Sequence, residues 1–104
     1  MRACEIPKEE SLFTPVHLKL EGRELDFQRA ERAAINLARA YYTEPVVLSW
    51  YDGKKGIFSP GDVERCVEGK PGWVDYAKSR GGNLTIDIND EEYVFIFQGK
   101  PNLS

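Results

Sequence analysis

His17 is the one histidine of the chain, and it lies at an outward position of an alternating apolar and polar segment, beside Lys19. Asp87 has the corresponding position in a second alternating segment. If the two segments form neighbouring strands, the imidazole and the carboxylate meet, and the pair becomes a candidate general acid or base. The alternative interpretation is that both side chains lie on a solvated face, since no second histidine or well-spaced acid supports them.

A second candidate site combines aromatic and charged residues in the middle of the chain. Together they are candidates for lining a cleft for a small ligand, and the neighbouring glycines let a backbone approach such a ligand closely. The same aromatic rings are also typical of core packing. The residues of this second candidate site are Trp50, Tyr51, Asp52, Lys54, Lys55 and Trp73.

Residues 53–56 place two lysines between two glycines. They lack the longer glycine-framed loop and the Lys-Ser/Thr pair of a Walker motif, and therefore predict a hairpin tip kept soluble by its lysines. Aromatic rings among basic residues would also suit single-stranded nucleic acid. Asp52, Glu68 and Asp75 dilute the basic surface, however, which argues against nucleic acid as the partner.

Residues 89–92 form an acidic run that could grip a cation. The run lacks the alternating ligands and the distant bidentate acid of a calcium loop, so it is interpreted as a solvated hairpin tip. Cys4 and Cys66 show no metal-ligand spacing, and free thiols are expected. No Ser-His-Asp or Cys-His arrangement can be assembled. The sequence thus predicts no assigned catalytic residue, no metal and no cofactor.

Alternating hydrophobicity predicts the strands that must position these side chains. Residues 16–20 and 84–88 alternate at period two, as strands with one buried face do. Residues 93–97 are apolar on both faces, which indicates an inner strand covered on both sides or a face that awaits a partner. Residues 46–51 predict a further strand, followed by an Asp-Gly turn and a short return.

Helical spacing predicts one long helix over 26–43, with Asp26 as its N-cap and Pro45 ending it. Two short helices are expected to follow. The first, over 59–69, begins with a Ser-Pro-Gly-Asp sequence and ends at a glycine. The second begins at Pro71 and is ended by two consecutive glycines.

The 104-residue chain predicts a single α+β domain over 14–98, with flexible tails at 1–13 and 99–104. The expected architecture is a small mixed or antiparallel sheet of about four strands, with the long helix and both short helices on one face. The strand order stays open.

Composition limits the classes of function. The net charge is −3 and charged residues make up 30% of the chain, which suits a well-solvated surface. No apolar run approaches the roughly 20 residues of a membrane span, and the first residues lack the apolar core of a secretion signal. The sequence therefore predicts a cytoplasmic protein with no membrane partner.

Two segments, PVVLSWYD at 45–52 and CVEGKPGW at 66–73, make the chain similar to small archaeal proteins grouped as a domain of unknown function. The resemblance covers about residues 15–98. It implies a cytoplasmic archaeal protein and brings no catalytic residues.

Three functional hypotheses follow. The first is a non-catalytic interaction module that self-associates, most simply as a homodimer, because of the apolar strand and a wide apolar helix stripe. The second is a small-ligand-binding protein or minor enzyme with the aromatic and basic cleft described above, or with His17 and Asp87. The third is a weak binder of single-stranded nucleic acid.

Overall fold

The computed structural model describes residues 15–20, 25–63, 66–67 and 70–101. This part of the chain contains seven strands and two helices. In chain order they are β1 (Pro15–Leu18), α1 (Phe27–Tyr41), β2 (Tyr42–Asp52), β3 (Ile57–Ser59), β4 (Cys66–Val67), β5 (Lys70–Pro71), α2 (Gly72–Ser79), β6 (Leu84–Ile88) and β7 (Tyr93–Pro101).

Five of the strands form one mixed sheet in the order β1-β6-β7-β2-β3. β1 pairs with β6 in parallel, and the other pairs are antiparallel. The expected α+β class is confirmed, with five strands in the main sheet rather than four. The parallel pair matters most for function because it brings the two alternating segments that carry His17 and Asp87 side by side.

The central strand β7 is covered on both faces. Its residues Tyr93, Phe95 and Phe97 join one buried cluster with α1, whereas Val94 and Ile96 join a second cluster with α2. All five side chains are essentially inaccessible to solvent. The interpretation of 93–97 as an inner strand is confirmed, and its apolar faces are used within one copy of the chain.

Helix α1 begins as the sequence predicted. The Asp26 side chain accepts a hydrogen bond of 2.9 Å from the backbone N–H of Arg29, which satisfies one of the unpaired donors of the first turn. Ala30, Ala34 and Ala38 form the fully buried stripe of the helix. These small side chains let the helix axis lie close to the large residues of β6 and β7.

The expectation that every helix lies on one face of the sheet is wrong. Trp73, Val74 and Ala77 of α2 pack against Val94 and Ile96, on the face opposite α1. The physical reason is the doubly apolar β7, since a strand that is apolar on both sides needs a cover on each. The helix itself occupies the region predicted after Pro71.

The predicted short helix over 59–69 is also wrong. Cys66 and Val67 form a strand that pairs with β5, in the register Cys66 with Pro71 and Val67 with Lys70. A two-residue connection that contains Gly69 suits a tight hairpin as well as it suits a helix end. Valine and cysteine are weak helix formers, and pairing with β5 prevails.

The expectation that residue 99 begins a flexible C-terminal tail is wrong, because β7 continues to Pro101 and pairs there with Tyr42 at the start of β2. Residues 99–101 are therefore part of the sheet. The predictions for residues 1–13, Cys4 included, and for 102–104 lie outside the described residues. Neither described helix has the length and apolar character needed to cross a membrane.

Candidate functional site

His17 and Asp87 are cross-strand partners in the parallel pair of β1 and β6. Nδ1 of His17 lies 3.4 Å from Oδ2 of Asp87. The carboxylate is completely buried, whereas half of the imidazole side chain is exposed. The structure therefore brings together the two residues that the sequence analysis selected as a candidate acid–base pair.

The two oxygens of Asp87 have different surroundings. Oδ1 accepts a hydrogen bond of 2.7 Å from the backbone N–H of Glu91. Oδ2 is buried and accepts no hydrogen bond from any described residue, so its contact is the histidine ring at 3.4 Å. A buried carboxylate oxygen without a donor costs free energy, because it has lost water without full compensation. One oxygen of Asp87 is thus hydrogen-bonded, whereas the other is buried without a hydrogen-bond donor.

The turn after Asp87 has an unusual backbone. Asn89, Asp90 and Glu91 have φ angles of 54°, 56° and 68°, in the left-handed region that residues with a Cβ rarely occupy. Three such residues in succession store strain that the surrounding structure must offset. The turn is therefore held by its neighbours rather than by its own backbone preference.

Asn89 stabilises the turn by linking it to the end of β1 through hydrogen bonds. Its Oδ1 accepts a hydrogen bond of 2.9 Å from the backbone N–H of Leu20, and its Nδ2 donates one of 3.1 Å to the Leu20 carbonyl. Its backbone N–H donates to the Leu18 carbonyl. These three bonds fix the chain beside His17 against the turn that carries Glu91.

The β2–β3 turn also contacts the β6–β7 turn. The backbone N–H of Gly53 donates a 2.7 Å hydrogen bond to the Glu92 carbonyl. A Cβ at Gly53 would lie 2.8 Å from the carbonyl oxygens of Glu91 and Glu92, closer than real Cβ contacts. Lys54 reaches across the same junction, with Nζ 3.3 Å from Glu92 Oε2 and 2.9 Å from the Leu25 carbonyl.

Glu91 has a carboxyl group with unusual proton affinity. Burial, a hydrogen bond with Asp87 and the charges of Asp87 and Asp90 raise the pKa of Glu91 to about 7, and the nearby His17 partly opposes them. A neutral Glu91 can donate a hydrogen bond to the Asp87 carboxylate, which an ionised Glu91 cannot. Near neutral pH, the Glu91 carboxyl is therefore partly protonated.

His17 and Asp87 line an open cleft of about 480 Å³ between β1 and the β6–β7 turn. The β1 side of the cleft carries His17 and Lys19, and the β6–β7 side carries Asp87 and Asp90. A cleft with a buried acid and a half-exposed imidazole can bind a polar ligand and exchange protons with it. The lining residues are His17, Leu18, Lys19, Leu20, Asp87, Asn89 and Asp90.

The second candidate site of the sequence does not converge. Trp50 packs on Phe27 of α1, with ring centroids 4.5 Å apart. Tyr51 stacks on Trp73 of α2, with centroids 5.5 Å apart and an interplanar angle of 1°. Adjacent residues of a strand point to opposite faces, so Trp50 and Tyr51 belong to different layers. Trp73 and Tyr51 are buried in packing and offer no open ring face for stacking on a base.

The charged members of that second candidate site stabilise a turn. Oδ1 of Asp52 accepts hydrogen bonds from the backbone N–H groups of Lys54 and Lys55, at 3.0 and 3.2 Å. The Lys54 side chain is engaged with Glu92, and their hydrogen bond raises the pKa of Lys54. Lys55 is exposed. The segment 53–56 is the hairpin tip that the sequence predicted.

The comparisons with known proteins give the family. Residues 13–97 match the family model described as "Domain of unknown function (DUF5619)". The chain belongs to this family. The similarity to an uncharacterised archaeal-like family is confirmed.

An uncharacterized protein of Archaeoglobus fulgidus is 41% identical to the DUF5619 chain over 73 residues, which cover 70% of the chain and 76% of the relative. A crystal structure of AF1514 from the same organism superposes with a TM-score of 0.71 at 32% identity. The superposed region covers 86% of this chain and 96% of the AF1514 chain. The family description assigns no activity, so the function of the DUF5619 domain must be argued from its own site.

Two residues next to the site, Asn89 and Glu91, were not predicted from the sequence, because the run 89–92 was interpreted as a solvated hairpin tip. Only Asp90 of that run is clearly exposed. A usable signal was the carboxylate of Asp87 between two isoleucines of a buried strand, because buried acids are uncommon.

The site lacks the donor set of a metal centre. Within the described part of the chain, no group of three His, Cys, Asp or Glu side chains is arranged to hold a metal ion. Zinc and calcium sites need at least three protein ligands of this kind or a set of oxygen donors around the ion.

Proposed function

We propose that the DUF5619 domain binds a small molecule in the cleft between β1 and the β6–β7 turn and exchanges a proton with it through His17 and Asp87. The observation that carries the proposal is the direct register of a buried carboxylate with a half-exposed imidazole, 3.4 Å apart. This develops the ligand-binding hypothesis of the sequence analysis and moves its site to His17 and Asp87.

Asp87 can set the chemical state of the histidine. A carboxylate near Nδ1 favours the tautomer that carries the proton there, which makes Nε2 the basic nitrogen. The 3.4 Å separation is longer than a charge-assisted hydrogen bond, and such contacts commonly tighten when a ligand binds. His17 would then take or give the proton, while Asp87 would orient and stabilise the ring.

The position of Asp87 is costly if its role is only structural. Asp87 lies between Ile86 and Ile88 in β6, and all three side chains are fully buried. The bond from Oδ1 to the Glu91 N–H explains an acceptor at this position, but a neutral asparagine would supply that acceptor without burying a charge. Ionisable groups retained in such surroundings beside a cleft are typical of functional sites.

A fragment titration tests the proposal. The full ¹⁵N-labelled chain is titrated with a set of small cations, anions and neutral molecules, and amide shifts are followed by NMR. We expect at least one fragment to shift the amides of 17–20 and 87–91, and Asp87→Asn to weaken that binding several-fold. Asp75→Asn, which neutralises an exposed acid on α2, is the control and leaves binding unchanged. If no fragment binds there, the proposal fails.

Self-association as a homodimer is a second proposal. The apolar strand that first suggested it is buried within one copy, so what supports the proposal now is half-exposed apolar side chains. Tyr41, Val46 and Ile57 are 46%, 56% and 48% exposed. Light scattering of the full chain over a range of concentrations decides between a dimer and a monomer. The cytoplasmic location stays a prediction from the sequence.

A further inference from the structure

We propose that Asn89 is a positioning residue, whose side-chain hydrogen bonds to the end of β1 hold the His17 imidazole against the Asp87 carboxylate. This role rests on the proposed function and adds a third residue to its site. Asn89 itself exchanges no proton and acts through the position of β1. It thus has a part in the acid–base pair beyond the stability of the turn that it occupies.

Strand β1 has little backbone pairing of its own. It has four residues, lies at the edge of the sheet and pairs, among the described strands, with β6. Its first residue, Pro15, has no N–H to donate, and parallel pairing is slightly less stable per residue than antiparallel pairing. Because this short strand carries His17, the distance from His17 to Asp87 depends on what fixes the end of β1 against β6.

Asn89 extends that pairing beyond the end of β1. It directly follows β6, and its backbone N–H donates a 2.9 Å hydrogen bond to the Leu18 carbonyl. Its side-chain amide then pairs with both backbone groups of Leu20: Oδ1 accepts from the N–H at 2.9 Å, and Nδ2 donates to the carbonyl at 3.1 Å. Leu18 is the last residue of β1 that pairs with β6, so one side chain carries the contact two residues further.

Asparagine combines the two properties that position 89 requires. The φ angle is 54°, in the left-handed region that asparagine tolerates better than most residues with a Cβ. A carboxamide also has both a donor and an acceptor, so it can pair with the N–H and the carbonyl of a single residue. An ionised aspartate could only accept, and glycine would suit the φ angle but would form neither bond.

Glu92 holds the Asn89 amide in a fixed orientation. Nδ2 of Asn89 donates a second hydrogen bond, of 3.1 Å, to Oε1 of Glu92, and Oε2 of Glu92 lies 3.3 Å from Nζ of Lys54. Both Nδ2 hydrogens and Oδ1 of Asn89 are therefore engaged. Rotation of the amide would break all three bonds together, so its contact with the end of β1 is rigid.

The contact between His17 and Asp87 is sensitive to small movements of β1. Nδ1 of His17 lies 3.4 Å from Oδ2 of Asp87, near the limit at which a hydrogen bond is lost. Oδ2 is buried and accepts no hydrogen bond from the described residues, so the imidazole ring is its polar contact. A movement of β1 that lengthens this distance by about half an ångström would uncouple the imidazole from the carboxylate.

The tautomer of His17, the single histidine of the chain, reports this coupling. The full ¹⁵N-labelled chain is examined by long-range ¹H–¹⁵N NMR at pH 8, where an ordinary imidazole is neutral. In the wild type we expect the proton on Nδ1, which faces Asp87, and Asp87→Asn gives the reference without a carboxylate. Asn89→Gly suits the φ angle and removes both side-chain bonds to Leu20. We expect it to lower the ratio of the Nδ1-protonated to the Nε2-protonated tautomer about tenfold, as the loss of one hydrogen bond would.

Two further variants control for stability and for folding. Gly81→Ala forces a side chain onto a φ angle of 89° before the other end of β6, and it should leave the tautomer ratio unchanged. Glu92→Ala removes the acceptor that orients the Asn89 amide, and it should lower the ratio in the same direction as Asn89→Gly. The amide spectrum of each variant shows whether it is folded. If Asn89→Gly does not fold, Glu92→Ala decides in its place, and an unchanged ratio there overturns the role.

The outcomes separate this role from the proposed function, because the tautomer is measured without a ligand. An Asn89→Gly ratio equal to that of the wild type, or an equal fall in Gly81→Ala, overturns the positioning role, whether or not a fragment binds. A wild-type ratio equal to that of Asp87→Asn also overturns it. If the ratio falls as expected but no fragment shifts 17–20 and 87–91, the positioning role stands and the proposed function fails.

Discussion

Asp87 holds Glu91 in place by accepting a 2.7 Å hydrogen bond from its backbone N–H, and the two side-chain carboxyl groups interact across the same turn. One residue thus both builds the turn and perturbs the acid that the turn carries. Burial of Glu91, together with its interaction with Asp87, raises the pKa of the Glu91 carboxyl to about 7.

The stability of the fold should depend on pH through Glu91. Its pKa is raised from 4.5 to about 7 in the folded chain, so between these values the folded state binds more protons than the unfolded state. The stability that this difference contributes is therefore fully present below about pH 4.5. It is lost as the pH rises to about 7 and does not change further above that pH. Its size is on the order of 1–3 kcal/mol, reduced by solvent screening of a partly exposed group.

Urea denaturation between pH 5 and pH 8 measures this effect in the wild type and in Glu91→Gln. The glutamine variant cannot titrate, and it should lose the part of the pH dependence that falls between 4.5 and 7. If both proteins show the same slope of unfolding free energy against pH, the assignment of the perturbed carboxyl to Glu91 is wrong.

Asn89 should be essential to the stability of the turn. Asn89→Ala removes two hydrogen bonds to the Leu20 backbone and places alanine at a φ of 54°, which asparagine tolerates better. We expect a loss of about 2–3 kcal/mol in the free energy of unfolding. Asn36→Ala, on the exposed face of α1, should cost less than about 0.5 kcal/mol. Equal losses in the two variants would contradict the assigned role.

Gly53 should tolerate no side chain. A Cβ at Gly53 would lie 2.8 Å from two backbone oxygens, and backbone can yield only by shifting the β6–β7 turn. Gly53→Ala should destabilise the chain by about 1–3 kcal/mol and perturb the amides of Glu91 and Glu92. At Gly61 the nearest heavy atom to an added Cβ is 3.9 Å away, so Gly61→Ala is the matched control with little effect.

Much of the fold could be predicted because its signals are local. Residues 84–88 and 93–97 show their buried faces by periodicity, and Asp26 shows the start of α1 by its type and position. The segment 59–69 could not be assigned, because its glycine suits a helix end and a hairpin equally. The pairing of Cys66 with Pro71 depends on contacts that local preference does not encode.

The site could be predicted only in part. The alternation around His17 and Asp87 indicated that they would share a face, but their contact depended on β1 and β6 being parallel neighbours. The role of Glu91 was hidden, because its environment depends on the left-handed turn and on the close approach of Gly53. Both are tertiary features, and acids in a short turn are ordinarily solvated.

The most direct test of the environment that the fold gives Glu91 is the titration of its side-chain carboxyl by ¹³C NMR. We expect a pKa near 7, because burial and the neighbouring Asp87 and Asp90 disfavour the ionised form. A pKa near the ordinary 4.5 would contradict this expectation.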